Sequence, residues 1–167
     1  MSISWLRSPE GQRVILVARE FSDPLLAIPA LRKQFSEISP DLISQAFSQA
    51  QLQHRLESRW GTSAADLLLT DDGINQATRP EVARFRAEFI AQKFGENAHV
   101  LDLTCGLGFD SREFARSGLR VTAVEIDSEI AEYASHNLNQ FDVRVHCADA
   151  AEFETPNDVD VVFVDPA

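Results

Sequence analysis

The chain has 167 residues, 44% of them apolar and 25% charged, ordinary globular values that exclude collagen-like, coiled-coil and disordered classes. Its net charge of −11 is unevenly placed: residues 1–95 balance, whereas residues 96–167 hold 4 basic and 15 acidic side chains. Nucleic-acid surfaces are basic, so the phosphates of any nucleic-acid substrate would meet the first half or something outside this chain.

The first segment reads as three helices with proline-marked starts. Ser8-Pro9-Glu10 opens one carrying Val14, Ile15, Val17, Ala18 and Phe21, and Asp23-Pro24 opens a second, bent at Pro29, carrying Leu25, Leu26, Ile28 and Leu31. Ser39-Pro40-Asp41 opens the third, with Leu42, Ile43, Ala46, Phe47, Ala50 and Leu56 at helical spacing and Gln45, Gln49 and Gln53 on a polar face. A helical cap without a catalytic role is the simplest account of this part.

Gly61-Thr62-Ser63 breaks the pattern, and Asp71-Asp72-Gly73 marks a turn after the apolar run Leu67-Leu68-Leu69. Thr78-Arg79-Pro80-Glu81 has the spacing of a capping box. Val82, Phe85, Phe89, Ile90 and Phe94 follow as the apolar face of a helix, with Gly95 as its stop. This divides the chain into a helical part, residues 1–77, and an α/β part, residues 78–167.

From residue 99 strands and helices alternate. Val100–Leu103 is a strand, Phe109–Ser117 a helix, Val121–Val124 a strand, Ser128–Asn137 a helix, Val143–His146 a strand, and Val159–Val164 a fourth strand. Such alternation implies right-handed crossovers and a parallel, doubly wound sheet. The consecutive Val161, Val162, Phe163 and Val164 ask for cover on both faces. From this the chain is expected to be an N-terminal fragment that stops after four strands.

Ligands of such sheets lie over the carboxyl ends of the strands. Asp102, Glu125, Asp149 and Asp165 fall there in register with the four strands, and Gly106-Leu107-Gly108 forms a turn whose backbone can approach a ligand closely. A nicotinamide-dinucleotide site would want a third glycine where Ser111 stands, and it gives no reason for Asp165-Pro166. His54, His99, His136 and His146 show no metal-ligand spacing, so no metal is expected. Cys105 and Cys147 fall at strand ends, are explained by packing, and suit a reducing compartment. Arg55, Arg59, Arg84, Arg86 and Lys93 could form a basic face beside the pocket, but helical surfaces carry such charges anyway and that is the preferred account. No apolar run approaches the ~20 residues that cross a bilayer, and the start Met1–Arg7 is unlike a signal peptide, so a cytoplasmic protein is expected.

Asp102-Leu-Thr-Cys-Gly106-Leu-Gly108 resembles the first motif of class I S-adenosylmethionine-dependent methyltransferases. Val124-Glu125-Ile126-Asp127, Cys147-Ala148-Asp149-Ala150 and Val164-Asp165-Pro166-Ala167 resemble their ribose-binding, adenine-side and fourth motifs. The resemblance implies a Rossmann-like fold and a cofactor site made of Asp102, Thr104, Cys105, Gly106, Leu107, Gly108, Glu125, Ile126, Asp149 and Ala150. Asp102 would take the ammonium group, Glu125 the ribose and Asp149 the adenine amine, while Asp165 and Pro166 would meet the methyl acceptor. Relatives that methylate exocyclic amines carry Asp/Asn-Pro-Pro-aromatic, and Ala167 at the third position argues against that acceptor. Leu69–Thr78 and Val82–Ala87 also resemble bacterial methyltransferases that carry a THUMP-like domain, and Thr78-x-Pro80-Glu81 is similar to a segment of the trimethylguanosine cap synthases. Both likenesses imply RNA as the acceptor, with a small molecule or a protein as the alternative.

Overall fold

The computed structural model describes residues 3–61 and 64–166, so the expected break at Thr62 and Ser63 and the alanine at 167 lie outside the described residues. The chain forms two compact units, residues 1–74 and 75–167.

The first unit is helical: α1 (Ile3–Leu6), α2 (Pro9–Ala18), α3 (Pro24–Gln34), α4 (Pro40–Trp60) and the start of α5 (Asp71–Gln76). Each proline-marked start is capped as its sequence dictates. The Ser8, Asp23 and Ser39 side chains accept from the backbone N–H of Gly11, Leu25 and Leu42, satisfying donors that a first helical turn leaves open. Helix α4 stops where Gly61 takes φ 65°, a left-handed conformation that glycine adopts without steric cost. Val14, Ile15, Leu31, Ile43, Ala50 and Leu56 close the core of this unit.

Two expectations fail here. Gln49 and Gln53 do not face solvent; both are fully buried. The Gln49 amide donates to Leu69 O at 2.8 Å and accepts from Leu69 N at 2.9 Å, and Gln53 donates to Leu67 O at 2.8 Å. These glutamines bond the backbone of the buried Leu67 and Leu69 as a neighbouring strand would. Asp71-Asp72-Gly73 is not a turn but the first turn of α5, where acidic residues favour a helix start.

In the second unit, α6 (Pro80–Phe94) precedes a four-stranded parallel sheet of β1 (His99–Asp102), β2 (Arg120–Glu125), β3 (Val143–Cys147) and β4 (Val161–Phe163), in the order β3-β2-β1-β4. Helices α7 (Phe109–Arg116) and α8 (Ser128–Asn137) connect β1 to β2 and β2 to β3. Consecutive strands β1, β2 and β3 step outward and β4 returns to the other side of β1, which places the reversal of strand order at β1. One core cluster joins Ala87 and Ile90 of α6 to Val100, Phe114, Leu119 and Val121, with Phe163 packed edge-on against Phe114. Cys105, Ala123, Ala134 and Leu138 form a second cluster, and Val143 packs against both.

Helix α6 departs most from its sequence pattern. Of its expected apolar face only Ile90 is buried; Phe85 is 68% and Phe89 53% exposed, and Ala83 and Ala87 are buried beside Ile90. Small side chains let the helix lie close to α7, so here packing distance outweighs the hydrophobicity of the face. The capping box does not form either. Arg79 is the N-cap residue, without a side-chain bond, because the Thr78 hydroxyl is turned to Asp110 Oδ2 at 2.6 Å.

Candidate active site

Because all four strands run parallel, their carboxyl ends share one edge of the sheet. Asp102 ends β1, Glu125 ends β2, and Asp149 and Asp165 each lie two residues past β3 and β4. The glycine turn rises from β1 at the same edge. Cys105 N donates to Val124 O, and Gly108 N to Cys105 O. Gly106 and Gly108 both have positive φ, 53° and 86°. A Cβ on Gly106 would project into open space, whereas one on Gly108 would strike Leu138 at 2.9 Å. The first glycine therefore leaves room over the turn for a ligand, and the second lets α7 begin against α8.

Asp102 is buried, accepting from Ser111 Oγ at 2.6 Å and Thr104 N at 3.3 Å. Burial pushes its carboxyl up to about 7, against the pull of the Ser111 and Thr104 bonds and with the charges of Asp110 and Asp165 adding to the rise. Ser111 stands where a dinucleotide site would have its third glycine, and the structure supplies its reason: from the first turn of α7 its hydroxyl holds the β1 carboxylate. Glu125 accepts from Gly106 N through Oε2 at 3.0 Å and from Asp127 N through Oε1 at 2.9 Å, so it fixes the glycine turn to the end of β2. Ile126 beside it is 67% exposed. Asp149 is exposed and accepts from Ala151 N at 2.8 Å, with Ala150 next to it half-buried. The side chains of Cys105 and Leu107 are buried, which leaves their backbone as the part able to meet a ligand. Burial and the neighbouring charges of Asp102 and Glu125 push the Cys105 thiol well up, so it is no nucleophile.

A second constellation adjoins the turn, and sequence reasoning missed it. Arg86 of α6 donates through Nη1 to Asp110 Oδ1 at 3.0 Å and Asp165 Oδ2 at 2.8 Å. Its guanidinium carbon lies 5.2 Å from the centre of the Phe163 ring. Burial lowers its pKa and the two carboxylates more than reverse that, so it stays charged. Asp165 N donates to Thr104 Oγ1 at 2.9 Å, so Thr104 joins the glycine turn to the turn after β4. Among the other basic residues, Arg55 pairs with Asp71 and Arg59 donates to Ile74 O, each within the helical unit. The signal for Arg86 was present only as a helical position between two buried alanines.

The donor set fits S-adenosylmethionine. It comprises a buried carboxylate for an ammonium group, an open glycine turn, and a carboxylate after β2 with lone pairs beyond its two backbone bonds. Among the described residues no three His, Cys, Asp or Glu side chains are arranged to hold a metal, and no helix is long and apolar enough to cross a membrane.

Residues 100–165 match the family model described as a methyltransferase domain. The chain is 27% identical over 138 residues to an uncharacterized S-adenosylmethionine-dependent methyltransferase of Mycobacterium tuberculosis, in both strain H37Rv and strain CDC 1551. The match covers 82% of this chain and 37% of those relatives, so the chain spans well under half of their length. A solved structure from Porphyromonas gingivalis W83, assigned as a methyltransferase, superposes with a TM-score of 0.56 at 18% identity, over 92% of this chain and 34% of that one, and so shares its fold. Residues 100–165 thus match a methyltransferase domain, and the relatives that align with this chain are described as S-adenosylmethionine-dependent.

Proposed function

We propose that this chain is the cofactor-binding part of a methyltransferase that modifies RNA, with residues 1–77 as a helical domain and 78–167 as the catalytic one. One observation carries the reading: carboxylates follow four parallel strands in succession, with an open glycine turn at the point where strand order reverses. When bound, S-adenosylmethionine supplies a methyl group activated by the sulfonium. Asp102 takes the ammonium, the backbone from Thr104 to Gly108 cradles the methionine part, Glu125 and Ile126 take the ribose, and Asp149 and Ala150 take the adenine. Asp165 and Pro166 border the acceptor, held by Thr104 and Arg86, and this positioning supplies much of the rate.

RNA is preferred as the acceptor because Leu69–Thr78 and Val82–Ala87 resemble RNA-directed bacterial enzymes, and Thr78-Arg79-Pro80-Glu81 a cap synthase. The test is transfer of tritium from methyl-labelled S-adenosylmethionine to total bacterial RNA by the protein expressed from its complete reading frame. Label in RNA that Asp165→Ala abolishes is the expected result. Label found only in protein or small-molecule fractions would move the acceptor to those classes. A second reading, cofactor binding without turnover, is favoured by the position of β4 at the sheet edge, where Val162 is 50% and Val164 54% exposed beside the proposed acceptor. Calorimetric binding of S-adenosylhomocysteine without any labelling would select it.

A further inference from the structure

The end of the sheet gathers three carboxylates, Asp102, Asp110 and Asp165, near enough that the charges of the last two act on the first. Arg86 is placed between two of them, with one nitrogen donating to both and the guanidinium resting near the Phe163 ring. The remaining oxygen of Asp110 is taken by the Thr78 hydroxyl. Two elements thereby converge on one cation, the first turn of α7 through Asp110 and the turn after β4 through Asp165.

A methyl donor and its demethylated product share adenine, ribose, ammonium and carboxylate, and differ by one methyl group and one positive charge. Contacts to the shared groups cannot tell them apart. Contacts to the methyl and the field at the sulfonium do so, and unpaired carboxylates at this edge would strengthen that field.

We propose that Arg86 is a specificity-determining residue of the cofactor site: by offsetting one of the two charges of Asp110 and Asp165 it sets how far the site prefers the cationic donor over its neutral product. The proposal rests on the cofactor reading above. A carboxylate already bonded to a guanidinium does not turn to pair with a sulfonium, so Asp165 remains with the acceptor side. Without Arg86 the same two carboxylates would favour the donor in its bound ground state.

Calorimetry on the 167-residue chain with S-adenosylmethionine and, separately, S-adenosylhomocysteine tests this at low ionic strength. The ratio of the product's Kd to the donor's should rise roughly three- to tenfold in Arg86→Gln, the effect of one uncovered charge at partly solvated range. Arg86→Lys, which keeps the charge, should stay within about twofold of the wild type. Should Arg86→Gln lose its circular-dichroism signature, Asp165→Asn serves instead, since Asp165 is exposed; with one carboxylate gone the ratio should fall. Equal weakening of both ligands in Arg86→Gln, or no change in either variant, would reduce Arg86 to packing and overturn the proposal. Absence of binding of either ligand to the wild type would instead overturn the cofactor reading itself.

Discussion

Asp102 concentrates the chemistry of the site in one buried group. Its carboxyl is pushed up to about 7, chiefly by burial, so near neutral pH the ligand-free protein holds it partly as the acid. The ammonium group proposed to bind there would pair with the ionised form. Affinity for S-adenosylhomocysteine should therefore fall about tenfold per pH unit below about 7 and level off above it. Calorimetry across that range checks this, and Asp102→Asn should remove the slope while weakening binding; a flat profile in the wild type would refute the assignment. For folding the sign is the reverse. A carboxyl raised in the native state binds its proton more tightly there than in the unfolded chain. Its contribution to stability is therefore full below the ordinary carboxylate range and is lost as pH rises towards 7. Urea midpoints of the ligand-free protein should decline over that window, and less so in Asp102→Asn.

At the level of elements, the roles of side chains on α4 and α6 were reversed by packing. Gln49 reads as a polar face from its spacing, yet it lies in the core and makes two bonds to Leu69. Gln49→Leu should cost roughly 2–5 kcal/mol in urea unfolding, because it strands two buried backbone groups. A truly solvent-facing glutamine would cost about 0.5 kcal/mol or less. On α6 the contrast runs the other way: Phe85→Ala should change stability by less than about 0.5 kcal/mol, whereas Ala87→Leu should cost about 1–3 kcal/mol by forcing α6 off its neighbours. Periodicity finds a helix but does not show which of two adjacent stripes is buried. The depth of the opposing surface decides that, and in α6 it admits alanines and excludes phenylalanines.

Across the molecule, charge bears on the acceptor. All the excess negative charge lies in residues 96–167, and Arg55, Arg59 and Arg86 spend donors inside their own units. Since nucleic-acid affinity scales with the phosphates neutralised, the 167-residue chain should bind polyuridylate too weakly to shift in a gel at about 0.15 M salt, the ionic strength at which surface charges are largely screened. Tight retention with a steep salt slope would show a basic surface that this charge distribution does not contain.

Apart from the short α1 and α5, the order of strands and helices was legible in the sequence because it is written in local signals: proline starts, glycine stops, and apolar runs ending in acids. Helix Ser128–Asn137 matches the reading residue for residue, and the four strands differ from it by one or two residues at their ends. The line of carboxylates at the strand ends was legible for the same reason, since in a parallel sheet equal position along a strand means a common edge. Tertiary structure alone decided what binds those carboxylates. Ser111 on Asp102, Thr78 on Asp110, Arg86 between Asp110 and Asp165, and Gln49 under Leu69 join residues 9 to 79 positions apart. No periodicity encodes such pairs, because their partners are chosen by where packed elements bring two side chains within about 3 Å, the reach of a hydrogen bond.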